Sequence, residues 1–265
     1  MDAPFVDCHA HVYTLDMPLA GTAWHHPPED ATIEQYIATL DTHGVSHAVM
    51  AAASLYDDYN DYMIEAARRH RRLRTTVIVR PDTSPYILRQ MKDDGVVGVR
   101  FQWRNVEHIP DLSAPENRKF LRRVRDLDWH VHLNDSGPRM PHTLGWFESA
   151  GVKLVIDHFG HPEKGRGPQC AGVDAVLRSV ARGNTWVKLS AAYRLESLAV
   201  AVACAKRYLA EAGPERLLWG SDWPFAAFEK KVTYRDTLNA FERCVPDAGQ
   251  RRIIGGETPL KLYFA

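Results

Sequence analysis

The chain has 265 residues, 45% of them hydrophobic, with 33 basic and 33 acidic residues and a formal net charge of zero. That balance argues against a nucleic-acid or membrane-surface partner, which would select a basic excess, and no apolar run approaches the ~18 residues of a membrane span. Four well-separated cysteines, Cys8, Cys170, Cys204 and Cys244, show no Cys-x-x-Cys spacing, and the start Met1-Asp2-Ala3-Pro4 has no basic leader region, so the expectation is a cytoplasmic enzyme without a zinc ribbon or disulfide framework.

Apolar, β-branched runs predict strands at 5–12, 48–53, 75–79, 96–102, 130–134, 153–158, 185–190 and 217–222. Helical stretches fill the intervals, which argues for βαβ units and a parallel sheet. The punctuation agrees. Gly44-Val45, Gly95-Val96 and Gly151-Val152 each place a glycine at a helix end directly before the next strand, the usual left-handed stop. Gly213-Pro214 does the same before the eighth strand, and Ser84-Pro85 reads as an N-cap followed by proline at the first helical position. Eight such units predict an α/β fold, a (β/α)8 TIM barrel forming a single domain over residues 1–265, a length typical of such barrels. A doubly wound open sheet is the alternative, but no Gly-x-Gly-x-x-Gly follows the first strand.

Active sites of such barrels lie at the C-terminal ends of the strands, and six strand ends here are polar. The first strand carries Asp7-Cys8-His9-Ala10-His11. Residues two apart share a face, so His9 and His11 project together, with Asp7 one step deeper on the same face as a supporting or floor residue. The fourth ends in Arg100 and Gln102. The fifth carries His130, His132 and Asn134, with His130 deep enough to be a core histidine. The sixth ends in Asp157-His158, where Asp157 faces opposite to His158 and reads as structural. The seventh runs into Ser190, Tyr193 and Arg194, and the eighth ends in Asp222. If the first and last strands adjoin, Asp222 joins the two histidines, either as metal ligands or as acid–base groups. Tyr56 and Asn60, after the second strand, are candidate substrate contacts. His25-His26 sits in a Pro-rich rim loop, and Gly165-Arg166-Gly167-Pro168 reads as a lid or plain loop.

The segments Val6-Asp7-Cys8-His9-Ala10-His11-Val12, Gly98-Val99-Arg100-Phe101, Trp129-His130-Val131-His132-Leu133, Val155-Ile156-Asp157-His158-Phe159-Gly160, Lys188-Leu189-Ser190-Ala191-Ala192-Tyr193-Arg194 and Trp219-Gly220-Ser221-Asp222-Trp223-Pro224 run in order along the chain. Together they resemble the amidohydrolase superfamily, and within it the 2-pyrone-4,6-dicarboxylate lactonase branch. The resemblance implies a distorted barrel that hydrolyses a small anionic lactone. Asp222 would activate water, His9, His11 and His158 would surround the lactone carbonyl, and Arg100 and Arg194 would hold substrate carboxylates. Independently of the resemblance, Tyr193 is a candidate substrate contact, as Tyr56 and Asn60 are. Those lactonases work without a metal. They also carry a basic residue a few positions after the strand-four arginine, a position that falls near Val106 here with Arg104 close by, so the pyrone dicarboxylate itself stays open as substrate. Metal-binding members use a strand-five histidine, and His9, His11, His132 and Asp222 would complete a zinc set. Cofactor need is therefore open between none and one Zn2+, and a zinc-dependent decarboxylase of an aromatic or muconate-like acid is the alternative function. Barrels of this type often dimerise, which leaves a homodimer open.

Lactone opening needs an activated water, a donor for the carbonyl oxygen and a proton for the leaving group. A carboxylate near pKa 4 is a weak base and needs a polarised pocket or a metal-bound water. An arginine fork binds carboxylates bidentately, which lysine cannot reproduce.

Overall fold

The computed structural model describes residues 4–265, so the reading of residues 1–3 lies outside it. Strands and helices alternate in chain order: β1 (Val6–Ala10), α1 (Ile33–Thr42), β2 (His47–Met50), α2 (Asp61–Arg69), β3 (Leu73–Val77), α3 (Pro85–Asp93), β4 (Val96–Gln102), α4 (Pro115–Asp126), β5 (His130–Asn134), α5 (Met140–Ala150), β6 (Lys153–Ile156), α6 (Ala171–Ala181), β7 (Thr185–Ser190), α7 (Leu198–Ala212), β8 (Leu217–Gly220) and α8 (Tyr234–Cys244). Two short helices, α9 (Ala248–Arg252) and α10 (Thr258–Tyr263), follow. The strands lie side by side in the order β1 to β8, each parallel to its neighbour. This is the (β/α)8 barrel that the strand spacing predicts, each strand within a few residues of its expected place.

Local signals set the helix ends. Gly151 ends α5 in the left-handed region at φ 67°, and Ser84 caps α3 by accepting from the Tyr86 amide, with Pro85 next. The layer between strands and helices is the main core. It is built from residues such as Leu73, Val131, Leu133, Leu154, Ile156, Val187, Leu189, Leu217 and Trp219. A second, smaller cluster joins Val6, Cys8, Val49, Val155 and Leu218 to Tyr263 of α10. Side chains from β1, β2, β6 and β8 meet in one place only inside the barrel, so this cluster is the lumen floor and α10 plugs it. At roughly 1.5–3 kcal/mol for each large apolar side chain buried, these two layers supply the rigidity on which the polar rim stands.

No helix among the described residues is long and apolar enough to cross a membrane.

Candidate active site

The site is built at the seam between β1 and β8. β1 pairs with β2 at Val6–His47 and Asp7–Ala48, but the next pair is Ala10–Met50, so three steps of β1 match two of β2. This bulge falls at Cys8–His9 and resets which residues face the lumen. Cys8 lies in the lumen cluster with Val6. His9 and His11 both turn toward Asp222, their rings 5.0 Å apart, His11 lining the cavity and His9 buried behind it. Asp7 faces the helical layer instead, which corrects the expectation that it shares a face with His9. Its carboxylate accepts from Tyr36 of α1 at 3.0 Å, from Tyr234 of α8 at 2.9 Å, and from the Ser221 hydroxyl and amide at 2.5 and 2.9 Å. Asp7 therefore latches the first strand to the end of the last. Gly220 makes room for the bulge: a Cβ there would stand 2.6 Å from His9 Cβ.

Past β8 the chain turns through a left-handed residue, Asp222, at φ 65°. Its amide donates to the His9 carbonyl at 2.7 Å, and the His11 amide donates to the Trp223 carbonyl at 2.7 Å. The carboxylate is thereby fixed among three imidazoles. Oδ1 lies 3.5 Å from His9 Nε2, 3.5 Å from His11 Nε2 and 3.8 Å from His158 Nε2. Oδ2 accepts from the Tyr193 hydroxyl and from Arg194 Nε, both at 2.6 Å. One oxygen is held and the other faces the histidines. Burial alone would raise the Asp222 pKa, but the Arg194 guanidinium and the neighbouring imidazoles outweigh it and hold the carboxyl well below the usual range. Burial pushes His158 down to about 4, against the pull of Asp222, and pushes His9 well below its usual value, against Asp157. At neutral pH the site is a carboxylate facing neutral His9 and His158.

Behind the histidines lies a buried ionic network. Asp157 contacts Arg100 through Nε and Nη2, each at 3.2 Å, Lys188 Nζ at 3.1 Å and His9 Nδ1 at 3.3 Å. Lys188 Nζ also lies 3.0 Å from both His9 Nδ1 and His132 Nδ1. The reading of Asp157 as facing away from His158 is corrected: Asp157 keeps an extended backbone and the lumen face of Val155, and His158 and Phe159, at φ of 51° and 58°, turn His158 inward beside it. Lys188 is a site residue that the motif reading misses. Its signal is a lone lysine inside the apolar run Val187–Leu189, since a buried lysine must be paired.

The site opens into a cavity of about 320 Å³ lined by His11, His158, Asp222, Arg100, Arg104, Arg194, Gln102, Asn134, His161, Trp24 and Phe228, among others. Arg104 and Arg194 also line an adjoining cavity of about 520 Å³. Partial desolvation in the cavity, and then the charge of Arg194, lower the Arg104 pKa from the usual arginine value. Arg100 is committed to Asp157, and its Nη1 donates to the Ala52 carbonyl at 2.6 Å. The Tyr193 hydroxyl is engaged by Asp222. Two expected contacts are turned away from the cavity. Tyr56 packs with Tyr13, Met17 and Leu55 in a satellite cluster, because its ring is worth more buried than at a wet rim. Asn60 clamps β3 to α2, donating to the carbonyls of Asp58 and Ile78 and accepting from the Ile78 amide at 3.0 Å. His25 bonds Glu229 at 2.5 Å across the rim.

The donor atoms of His9, His158 and Asp222 lie within 4.8 Å of one another, close enough by distance to share an ion, the sole such group of three among the described residues. His9 Nε2 is buried without a hydrogen-bond partner, as a ligand position would be. The charges do not suit a cation, however. Lys188, Arg100 and Arg194 already outnumber Asp157 and Asp222 in this pocket. The expected four-residue set is also not assembled, since both ring nitrogens of His132 are taken, by Lys188 and by the Tyr263 hydroxyl at 3.3 Å.

A barrel with paired histidines on its first strand and a carboxylate past its last defines the class to which comparison then assigns the chain. The chain belongs to the amidohydrolase family, whose model matches residues 6–265. It is 30% identical to a 4-sulfomuconolactone hydrolase of Rhizobium radiobacter, covering 97% of this chain and 89% of that protein. It is 26% identical to a 2-pyrone-4,6-dicarboxylate hydrolase of Comamonas testosteroni, covering 100% and 91%. A crystal structure of a probable 2-pyrone-4,6-dicarboxylic acid hydrolase from Acinetobacter baumannii, with citric acid bound, matches with a TM-score of 0.94 at 29% identity, covering 98% of this chain and 99% of that one. These relatives fall in the branch that the motifs resemble.

Proposed function

We propose that this protein hydrolyses a small lactone bearing carboxylate or sulfonate groups, using Asp222 as the base and no metal. It is an ester-cleaving hydrolase, as its named relatives are. The observation that carries the finer reading is the asymmetry of Asp222: Oδ2 is held by Tyr193 and Arg194 at 2.6 Å while Oδ1 faces three imidazoles at 3.5–3.8 Å. That leaves one carboxylate oxygen uncommitted to a hydrogen-bond donor beside the cavity, where it can take a proton.

In this reading the His11 ring donates Nδ1–H to the Ala51 carbonyl at 2.7 Å, so in its neutral form Nε2 is an acceptor. A water on the cavity side of Asp222 Oδ1 and His11 Nε2 gives a proton to Asp222 as its oxygen attacks the lactone carbonyl. His9 and His158 supply donors for the carbonyl oxygen as it gains charge, an effect on the order of 10²–10³ in rate for each well-placed donor. Asp222, now protonated, returns the proton to the leaving ring oxygen. Arg104 and Arg194 face the same cavities and hold the substrate's anionic groups, which relieves their mutual repulsion. The zinc decarboxylase alternative is the weaker reading, because it depends on His132 as a ligand.

The test is a pH-indicator assay of purified protein on 2-pyrone-4,6-dicarboxylate, a sulfomuconolactone and five- and six-membered sugar-acid lactones, each with and without chelator. Proton release that survives chelation, and falls on the order of 10²–10⁴-fold in Asp222→Asn, is the expected result. Silence on every lactone, or full activity in Asp222→Asn, overturns the proposal.

A further inference from the structure

Lys188 is fully buried in the middle of β7. Its Nζ has three neighbours: His9 Nδ1 and His132 Nδ1 at 3.0 Å, and Asp157 Oδ1 at 3.1 Å. An ammonium carries three N–H donors and no lone pair: two protons meet the imidazole nitrogens as hydrogen bonds, and the charge pairs with Asp157 Oδ1, which has no hydrogen-bond partner. A neutral amine giving its two protons to the imidazoles would turn its lone pair on the Asp157 carboxylate and lose the ion pair. Asp157 provides the counter-charge that a buried cation requires.

The consequence falls on His9. A neutral imidazole has one N–H and one lone pair. If Nδ1 accepts from Lys188, Nε2 must carry the hydrogen. That nitrogen has no hydrogen-bond partner of its own and faces the site, 3.5 Å from Asp222 Oδ1. His11, two residues on, has the opposite arrangement, with Nδ1 donating to Ala51 and Nε2 bare. The groups standing behind the two rings give them opposite polarity toward the site.

We infer that Lys188 is a positioning residue that fixes His9 as an Nε2–H donor, so that His9 meets the lactone carbonyl with a proton instead of offering a lone pair to a metal ion. This deepens the lactonase reading and rests on it for the identity of the carbonyl; the state of His9 itself does not. The competing polarity, with His9 Nδ1–H donated to Asp157 Oδ1 at 3.3 Å, is the one a metal ligand would need.

The experiment is histidine nitrogen NMR of the wild-type protein near neutral pH, with the His9 signals assigned by their loss in His9→Asn. The expected pattern is Nε2 protonated and Nδ1 bare. Nδ1 protonated with Nε2 bare overturns the inference, and this measurement does not depend on any Lys188 variant folding. Lys188→Met adds a second arm. Without the ammonium, His9 Nδ1–H turns to Asp157, the NMR pattern inverts, and zinc binds at least about tenfold more tightly than to wild type, the scale of such supporting contacts. Equal zinc affinity in the two proteins also overturns the inference. Both readouts are taken without substrate, so they stand or fall separately from lactone opening. On an active lactone, Lys188→Met should lower kcat on the order of 10²-fold, the effect of losing one oriented donor, with a smaller change in KM.

Discussion

Replacing Arg194 with glutamine tests the base directly. Arg194 Nε lies 2.6 Å from Asp222 Oδ2, and its charge is the largest of the influences holding that carboxyl below the usual range; burial acts the other way. Two unit charges about 4 Å apart at an effective dielectric of 20 interact by about 4 kcal/mol, which corresponds to about three pKa units. Arg194 keeps some solvent contact, so a shift of at least one unit is the safer expectation. The sign follows from the chemistry. Asp222 works as the base only when ionised, so the rate falls as pH drops through its pKa. In wild type that fall lies at very low pH. In Arg194→Gln, with burial no longer opposed by the guanidinium, it should move up in pH. The assay is the pH profile of kcat/KM on whichever lactone wild type opens, since this ratio reports the free enzyme. Loss of a substrate contact lowers the whole profile without moving its limb, so the two effects separate. An acidic limb that stays at the wild-type position would refute the assignment of Asp222 as a base restrained by Arg194.

Asp7→Asn should destabilise the fold more than it harms the chemistry. Its Oδ2 accepts from Ser221, Tyr36 and Tyr234, and an amide nitrogen facing three hydroxyls leaves buried donors unmet at roughly 1–3 kcal/mol each. We expect a loss of about 3 kcal/mol in urea unfolding; a loss below about 1 kcal/mol would mean the hydroxyls simply turn round to accept. Gly220→Ala places a methyl against His9, 2.6 Å from its Cβ and 2.8 Å from its backbone nitrogen. It should cost about 1–3 kcal/mol as overpacking and depress kcat by displacing His9, and unchanged kinetics in a folded variant would show that the bulge yields freely.

The barrel is legible in the sequence because its signals are local and repeated. A glycine such as Gly151 stops a helix wherever it falls, and eight apolar runs at helix-and-strand spacing leave few other topologies. The rim residues are legible for the same reason: β4 and β5 keep strict alternation, with Arg100 opposite His132 and Gln102 opposite Asn134, so period-two reading sorts their faces correctly. It fails where the backbone leaves that period. The bulge at Cys8–His9 reverses Asp7, and left-handed residues at His158 and Asp222 redirect the chain one step past the strand. Neither feature has a signature in residue type, since a histidine or aspartate takes a positive φ only when the surrounding structure enforces it. Tyr56 and Asn60 are misplaced by a different limit: a loop's sequence gives its chemistry but not the direction in which tertiary packing turns it.

Those same departures are what make the site work. Strict alternation keeps Asp157 on the lumen face with Val155, where it meets Lys188, but would turn His158 out of the lumen. The left-handed turn brings His158 in to reach Asp222 while Asp157 meets Lys188 at 3.1 Å. The bulge brings His9 to Lys188 at 3.0 Å while Asp7 is released to bolt the barrel seam. Positive φ at non-glycine residues costs free energy, and here that cost is offset by a closed ionic network that forms only in the strained arrangement. It follows that a substitution breaking the network, such as Lys188→Met, should relax His158 as well as His9, and that the two rings should respond together in the histidine NMR spectrum.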